Sequence, residues 1–220
     1  MTRYQILGQS NHAVAILLDL LTLLHENPIA VDIVSNIPPE DNDSLVYSYQ
    51  TQGVETREVS HMDWQRDPKA RLLIGSIGRS RERIFSFFRE VFNIEARDYS
   101  SAIHPKAILP LEMVCGNGVH VGPGATIAPH AEIGDLVVIN RNASVGHHTV
   151  LEDFVTLNPG CHVAGVCHIE RGATVGAGAT VVDSLTIGRN SVVGAGSVVT
   201  RDIPPDVVAY GVPARVVREK

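Results

Sequence analysis

The stretch that decides the fold runs from residue 121 to residue 145 and reads VGPGATIAPHAEIGDLVVINRNASV. Every sixth residue in it is aliphatic, and the spacing continues on both sides. The aliphatic positions are Ile103, Leu109, Val121, Ile127, Ile133, Ile139, Val145, Leu151, Leu157, Val163, Ile169, Val175, Val181, Ile187, Val193 and Val199. In this register only Cys115 is not aliphatic. A period of six fits neither a helix, with a side-chain period of about 3.6, nor an ordinary strand, with a period of about 2.

A prism-shaped parallel β-helix explains this period. Three six-residue faces make one coil of about 18 residues, the aliphatic side chains point inward, and glycines such as Gly122 and Gly146 occupy the corners where the chain turns tightly. The register is unbroken from 103 to 199, so any active site must lie on the faces or corners. Residues one coil apart stack at the strand spacing of about 4.8 Å, so we expect Gly165 to lie against His147.

Residues 1–98 have a different pattern, in which short apolar strands alternate with amphipathic helices. We predict strands at 4–7, 31–34 and 72–77, and helices at 13–24 and 80–92. In the second helix, Ile84, Phe87, Phe88 and Val91 are expected on one buried face. The alternation predicts a small Rossmann-like parallel sheet, with ligands at the carboxyl ends of its strands. The predicted domains are therefore an α/β domain at 1–98, a parallel β-helix at 99–205 and a C-terminal tail at 206–220.

The expected ligand edge contains two small-residue turns. One runs from Gly8 to His12, and the other is at Gly78, beside Arg79 and Arg81. Backbone N–H groups at such turns, with nearby guanidinium groups, are suited to phosphate. A plain turn and a solvated helix start explain these residues equally well, and the dinucleotide fingerprint G-x-G-x-x-G is absent.

The composition excludes several classes of protein. The chain has 220 residues and a formal charge of -6, from 18 Lys and Arg against 24 Asp and Glu, which argues against nucleic-acid binding. The longest apolar stretch, 13–24, is too short for a bilayer, so we expect no membrane partner. Cys115, Cys161 and Cys167 show no C-x-x-C spacing and are interpreted as core residues in a reducing compartment, the cytoplasm.

Together these features resemble the hexapeptide-repeat nucleotide-sugar N-acetyltransferases of bacteria, of the sialic-acid, bacillosamine and perosamine type. The resemblance rests on residues 6–12, 77–79, 102–107, 146–148, 153–160, 163–165 and 211–214. It implies a left-handed β-helix, a homotrimer, and acetyl-CoA as cosubstrate in the groove between adjacent β-helices, with no metal. The small domain would hold a nucleotide-linked amino sugar, as expected for an enzyme of polysaccharide or glycan biosynthesis.

The resemblance also assigns residues. His147 falls on the family's general base, and His148 falls where many relatives have an acidic residue that orients the base. Thr156 replaces a histidine that some relatives place near the cofactor. Ser35 and Asn36 lie where relatives have acidic residues against the nucleotide base, and His12 lies where relatives approach the sugar. The full expected substrate-binding set is Gly8, Ser10, Asn11, His12, Ser35, Asn36, Gly78, Arg79 and Arg81.

The chemistry suits these positions. An amine must lose a proton as it attacks a thioester, and histidine, with a reference pKa of about 6.5, accepts protons near neutral pH. The N–H of Gly165 is placed to donate to the oxyanion. Ala177 and Ala195 are expected to continue the corner of Gly165 and Thr156, at steps of about one coil, as a track for the pantetheine arm. Arg215 is expected to contact the CoA phosphates, and Arg218 is equally well explained as part of a solvated tail.

Other functions remain open at this stage. Stacked His130 and His148 allow a zinc hydratase of the γ-carbonic-anhydrase type, although the two form an incomplete ligand set. O-acetylation of a sugar hydroxyl would use the same base. A non-catalytic sugar-nucleotide scaffold is a third alternative. A nucleotidyltransferase is disfavoured because the first domain lacks a glycine-rich loop followed by Lys.

Overall fold

The computed structural model describes residues 1–8, 11–26, 28–36, 52–78 and 80–220. The chain divides into two compact units, Met1–Ala102 and Ile103–Lys220. In the part described, no helix is long and apolar enough to cross a bilayer.

The first unit is a parallel α/β domain, as the alternation of strands and helices predicted. Its elements are β1 (Thr2–Leu7), α1 (Asn11–Leu24), β2 (Ile29–Ser35), β3 (Val54–Ser60), β4 (Arg71–Ile74), α2 (Ser80–Phe92) and a 3-10 turn (Ala96–Asp98). The strand order is β3-β2-β1-β4, with parallel pairing throughout. All four carboxyl ends therefore meet at one edge of the sheet, where ligands bind in such folds.

Strand β3 was not predicted. Its sequence, VETREVS, alternates apolar and polar residues only weakly, and none of its residues is fully buried. It is an edge strand of the sheet and is partly exposed, so it needs fewer apolar side chains than a central strand. The carboxyl end of β3 consequently adds a position to the ligand edge.

The helices differ from the prediction in detail. Asn11 and His12 form the first turn of α1 and do not belong to the preceding turn, because the helix starts at Asn11. In α2 the prediction that Val91 shares the buried face is wrong: Val91 is 57% exposed, and Phe85 is buried with Ile84 and Phe88. Strand β4 ends at Ile74, three residues earlier than predicted.

The second unit is the predicted left-handed parallel β-helix. Its two-residue strands are β5 (Ala102–Ile103), β6 (Val114–Cys115), β7 (His120–Val121), β8 (Thr126–Ile127), β9 (Glu132–Ile133), β10 (Val138–Ile139), β11 (Ser144–Val145), β12 (Val150–Leu151), β13 (Thr156–Leu157), β14 (His162–Val163), β15 (His168–Ile169), β16 (Thr174–Val175), β17 (Thr180–Val181), β18 (Thr186–Ile187), β19 (Val192–Val193) and β20 (Val198–Val199). Strand β5 begins with the last residue of the first unit.

Three parallel sheets form the faces of the prism. Face 1 contains β5, β7, β10, β13, β16 and β19; face 2 contains β8, β11, β14, β17 and β20; face 3 contains β6, β9, β12, β15 and β18. Partners in each face are one coil apart, as in the pairs Ser144↔His162 and His162↔Thr180. The register deduced from the period of six is therefore confirmed.

The interior of the prism is filled by the aliphatic ladder. Every aliphatic position from Val121 to Val199 is buried, which removes one branched apolar side chain per face from water. The first coil is less regular, because Ile103 is only partly buried and Leu109 is 37% exposed. At that level face 2 has only an isolated bridge between Ile108 and Thr126.

The corners explain two kinds of glycine. At every sixth position the backbone has a positive φ, in the left-handed region. The residues are Gly118, Gly124, His130, Leu136, Asn142, His148, Phe154, Gly160, Val166, Gly172, Gly178, Ser184, Asn190 and Gly196. Gly122 and Gly146, which directly follow aliphatic positions, are instead required by close approach. A Cβ at Gly122 would lie 2.7 Å from Arg141 N, and one at Gly146 would collide with the backbone of Ala164 and Gly165.

The segment expected as a C-terminal tail is ordered into two strands. Strand β21 (Val207–Gly211) pairs parallel with β19, and β22 (Ala214–Glu219) pairs antiparallel with β21. The strands are joined through a cis peptide bond at Pro213. They extend face 1 at the end of the solenoid.

Candidate active site

One corner of the prism gathers the candidate catalytic residues, and we call it the histidine corner. It lies between faces 2 and 3 and stacks four residue pairs one coil apart: Pro129 and His130, His147 and His148, Gly165 and Val166, Asp183 and Ser184. Backbone hydrogen bonds connect all four levels, from His148 N to Pro129 O (3.4 Å), from Val166 N to His147 O (2.8 Å) and from Ser184 N to Gly165 O (3.0 Å). The position of each pair is therefore set by the coil before it.

The side chain of His147 lies over Gly165, as the spacing predicted. A Cβ on Gly165 would be 2.8 Å from both Cε1 and Nε2 of His147, so the imidazole occupies the space that any other residue would fill. His147 is exposed. The N–H of Gly165 has no hydrogen-bond acceptor among the described residues. Gly165, whose N–H has no acceptor in the described structure, and the imidazole of His147 are thus direct neighbours at this corner.

His147 contacts the neighbouring His148 through nitrogen. Their Nδ1 atoms are 3.1 Å apart and the ring planes are nearly perpendicular, at 85°. One Nδ1 must carry the hydrogen and the other must accept it. His148 in turn lies beside His130, with ring centroids 4.8 Å apart. The three histidines form a continuous row along the corner.

Thr149 braces this corner from inside the prism. Its hydroxyl donates to Ala164 O (2.9 Å) and accepts from Cys167 N (3.1 Å), and the side chain is fully buried. These bonds connect the turn that contains His147 to the turn that contains Gly165.

The expected cofactor residues are not all on the histidine corner. Ala177 lies 12 positions after Gly165, two faces further along the chain, and the next coil of the histidine corner is occupied by Asp183. Ala177 and Ala195 stack instead on Pro159 at the corner between faces 1 and 2, through bonds from Gly178 N to Pro159 O and from Gly196 N to Ala177 O. The prediction that they continue the corner of Gly165 is wrong.

Thr156 and Arg215 also lie away from the histidine corner. Thr156 is in β13 on face 1, opposite that corner, and its side chain is only 3% exposed. Arg215 is exposed on β22, where Nη1 donates to Ala214 O (2.9 Å), and Arg218 is exposed on the same strand. Within one chain, neither Thr156 nor Arg215 shares a surface with His147 that the structure describes.

The carboxyl edge of the first sheet contains several expected substrate residues. Gly8 follows β1 with a positive φ of 83° and donates from N to Val34 O (2.8 Å). Ser35 ends β2 and Asn36 follows it, whereas Gly78 lies in the turn between β4 and α2. Ser10 and Arg79 lie outside the described residues. His12 is exposed on the first turn of α1.

Arg81 does not offer the surface cation that the sequence suggested. It is 3% exposed, and Nη1 donates to Ser76 O (2.8 Å). Burial lowers the pKa of the guanidinium, and nearby Tyr99 opposes that shift. The side chain therefore supports the Ser76–Gly78 turn from beneath, where Gly78 N also donates to Ser76 Oγ (3.3 Å).

His61 is a residue at this edge that the sequence reasoning missed. It directly follows β3, and its Nδ1 is 3.0 Å from Ser35 O. The weak alternation in 54–60 was the available signal, and once that strand is assigned His61 falls beside Ser35.

The descriptions of similar proteins agree with this fold. Residues 167–201 match the family described as "Bacterial transferase hexapeptide (six repeats)". A comparison of the sequence with curated proteins gave no match. Within the described ranges, no group of three or more His, Cys, Asp or Glu side chains could hold a metal ion. The matched repeats and the likeness to solved acetyltransferases show an acyltransferase.

Similar solved structures name the reaction and the bound ligands, which the family description does not. A perosamine N-acetyltransferase from Caulobacter crescentus, a histidine-to-alanine variant crystallised with CoA and GDP-perosamine, is 29% identical with a TM-score of 0.79, over 100% of this chain and 98% of that one. The acetyltransferase domain of PglB from Neisseria gonorrhoeae, in complex with acetyl coenzyme A, is 20% identical with a TM-score of 0.77, over 98% of both chains. WeeI from Acinetobacter baumannii is 21% identical, with a TM-score of 0.75, over 98% of this chain and 100% of that one. The predicted resemblance is confirmed.

Proposed function

We propose that this protein transfers an acetyl group from acetyl-CoA to the amino group of a nucleotide-linked sugar. The observation that carries the proposal is the imidazole of His147 lying against Gly165, whose N–H lacks an acceptor in the described structure. An acyl transfer needs a base for the nucleophile and a donor for the oxyanion, and both are adjacent here. The likeness to a perosamine N-acetyltransferase over the whole chain supports the substrate class.

The reaction we infer is a direct transfer. The amine nitrogen attacks the thioester carbonyl carbon, and the new C–N bond converts the carbonyl oxygen into an oxyanion that accepts from Gly165 N–H. His147 Nε2 takes the proton that the amine loses. The C–S bond then breaks, and the imidazolium returns that proton to the CoA sulfur. The products are an N-acetyl sugar and CoA with a free thiol.

His148 sets the tautomer that this reaction requires. For Nε2 of His147 to accept a proton, its Nδ1 must carry hydrogen, and the 3.1 Å contact allows that hydrogen to be donated to Nδ1 of His148. A neutral imidazole stabilises the imidazolium of His147 less than a carboxylate would, because it adds no opposite charge. We therefore assign His148 as a positioning residue in the place of the acidic residue of relatives.

The cofactor site we propose needs more than one chain. His147 and the Ala177 and Ala195 corner lie on either side of face 2 of one prism. Packing three prisms side by side would bring one corner of a chain to a different corner of its neighbour, which supports a homotrimer with acetyl-CoA in the groove. Light scattering should then give three times the chain mass of 23.7 kDa. A monomer of full activity would contradict this arrangement.

The deciding experiment is a screen of amino-sugar nucleotides with acetyl-CoA, following release of CoA thiol. GDP-, UDP- and dTDP-linked amino sugars are tested beside their hydroxyl analogues. N-acetylation predicts turnover only with the amines, whereas turnover with hydroxyl analogues alone would identify an O-acetyltransferase. No thiol release with any sugar, together with stoichiometric zinc and hydratase activity, would refute the proposal in favour of the hydratase.

The base is tested by substitution. His147→Asn should lower kcat by about 10² to 10⁴-fold, the usual contribution of a general base. The matched control is His168→Asn, since His168 is an exposed histidine on face 3 that pairs with Glu152. His168→Asn should keep kcat within about twofold, because exposed ion pairs contribute little. Equal rates in both variants would remove His147 from this role.

A cytoplasmic location remains part of the proposal. All three cysteines are unpaired, as expected in a reducing compartment. Fractionation of cells that express the chain should recover it with cytoplasmic markers.

A further inference from the structure

His61 is held in a single tautomer at the carboxyl edge of the sheet. The carbonyl oxygen of Ser35 is 2.9 Å from His61 N and 3.0 Å from His61 Nδ1. A carbonyl oxygen only accepts, so both nitrogens must donate and Nδ1 must carry the hydrogen. In the neutral ring Nε2 then holds a lone pair, on the side of the imidazole that points away from Ser35.

The ring is also held from the side by α2. Phe87 contacts it edge to face, with centroids 5.1 Å apart and planes at 88°, and Phe87 itself packs on Phe88 at 5.2 Å. His61 is half-buried, so part of the ring reaches solvent. In the described part of the chain Nε2 has no hydrogen-bond partner. A fixed acceptor of this kind costs little ordering entropy when a ligand binds.

The position suits a nucleotide base. Ligands of parallel α/β sheets bind outside the carboxyl ends of the strands, and His61, Ser35 and Asn36 are neighbours at that edge. Neither residue 35 nor residue 36 is acidic, and Ser35 O already accepts twice from His61. Nε2 of His61 is therefore an available acceptor at the place where a base would meet the end of β2.

We propose that His61 reads the nucleotide base by accepting a ring N–H at Nε2. Guanine offers N1–H, and uracil and thymine offer N3–H. Adenine N1 and cytosine N3 carry lone pairs at the matching positions and would face the lone pair of Nε2. The ligand is thus a guanine, uracil or thymine nucleotide, in preference to adenine or cytosine. This inference rests on the proposed function for its premise that the substrate is nucleotide-linked.

The test uses two substitutions that separate the nitrogens of His61. His61→Asn retains a donor near the position of Nδ1 and removes the acceptor at Nε2. His61→Gln retains an acceptor near Nε2 and loses the donor to Ser35. Binding of GDP, UDP, dTDP, ADP and CDP to the full chain is measured by calorimetry for the wild type and both variants.

We expect at least one of GDP, UDP and dTDP to bind the wild type more tightly than ADP and CDP. His61→Asn should weaken that ligand about tenfold, equivalent to one hydrogen bond, and bring its affinity close to those of ADP and CDP. His61→Gln should lose less affinity for that nucleotide than His61→Asn, because it retains an acceptor near the position of Nε2. The melting temperature of each variant and its KM for acetyl-CoA should stay close to wild type.

Three results would overturn the inference. They are a wild type that prefers ADP or CDP, a wild type that binds none of the five, and a His61→Asn variant with unchanged affinities, which would leave His61 only a link between β3 and β2. The proposed function fails separately. Selective binding through His61 without acetyl transfer to any amino sugar would leave this inference standing and refute the transferase. Acetyl transfer to an amino sugar, together with unchanged nucleotide affinities in His61→Asn, would support the transferase and refute this inference.

Discussion

Substituting Gly165→Ala tests whether the catalytic geometry depends on the missing side chain. The new Cβ would lie 2.8 Å from Cε1 and Nε2 of His147, whereas ordinary contacts of a Cβ begin at 3.4 Å. The imidazole must therefore move by about 0.6 Å or turn away. A misplacement of about 1 Å can cost about 10² in rate, so we expect kcat to fall between about tenfold and about 10²-fold. Gly165 has no positive φ, so the backbone should accept alanine without strain.

The assay measures kcat and KM by thiol release, with the melting temperature recorded in parallel. Gly146→Ala, on the coil before Gly165, is the comparison. Its Cβ would meet the backbone of Ala164 and Gly165, which cannot swing aside as an exposed ring can. We therefore expect Gly146→Ala to lower the melting temperature clearly and Gly165→Ala to leave it nearly unchanged. A Gly165→Ala protein with wild-type kcat would refute the reasoning, as would one that is destabilised as much as Gly146→Ala.

The remaining predictions concern the interior of the β-helix. Thr149→Val leaves Ala164 O and Cys167 N without their shared partner; at about 1–3 kcal/mol for an unsatisfied buried group, the melting temperature should drop by about 5 °C. Thr180→Val on face 2 is the control, because its hydroxyl makes no hydrogen bond in the described structure, and an equal drop for both would contradict the brace. Burial raises the pKa of Cys161 from 9.0 to about 12, so this thiol should stay unreactive to disulfide reagents at pH 8 until the chain unfolds. As the pH rises above 9 the unfolded chain loses this proton first, so Cys161 alone should lower the free energy of unfolding by about 1 kcal/mol at pH 10. Cys161→Ala should show a smaller fall, because Cys115, Cys167 and Tyr99 then still have pKa values raised by burial, and an equal fall in both proteins would exclude Cys161 as a source.

The β-helix was predictable because its interior accepts one kind of side chain at one spacing. Each coil repeats the same geometry, so the pairing of His147 with Gly165 followed from counting. The prediction for Ala177 failed because Ala177 follows Gly165 by only 12 residues, whereas one coil has 18. The interval places Ala177 two faces ahead of Gly165 and therefore on another corner.

The α/β domain was less predictable because its features depend on contacts between distant segments. Strand β3 has few apolar residues, since an edge strand needs little cover, and His61 was missed with it. Arg81 was expected at the surface because arginine is usually exposed. The burial of the Arg81 guanidinium against Ser76 O becomes visible only when α2 is packed on the sheet.

The backbone bonds that tie each corner to the preceding one have a consequence for changes in chain length. The bond from Val166 N to His147 O holds only while 18 positions separate Gly165 from its partner below. Deleting one amino acid between them would shift every later residue out of its stack with the residues 18 positions away. It would therefore separate His147 from Gly165. Duplicating a whole turn of the spiral after Ser184 would only lengthen the molecule. Viable length variants of this half should therefore differ by complete turns, or by loops that leave and rejoin the spiral in phase.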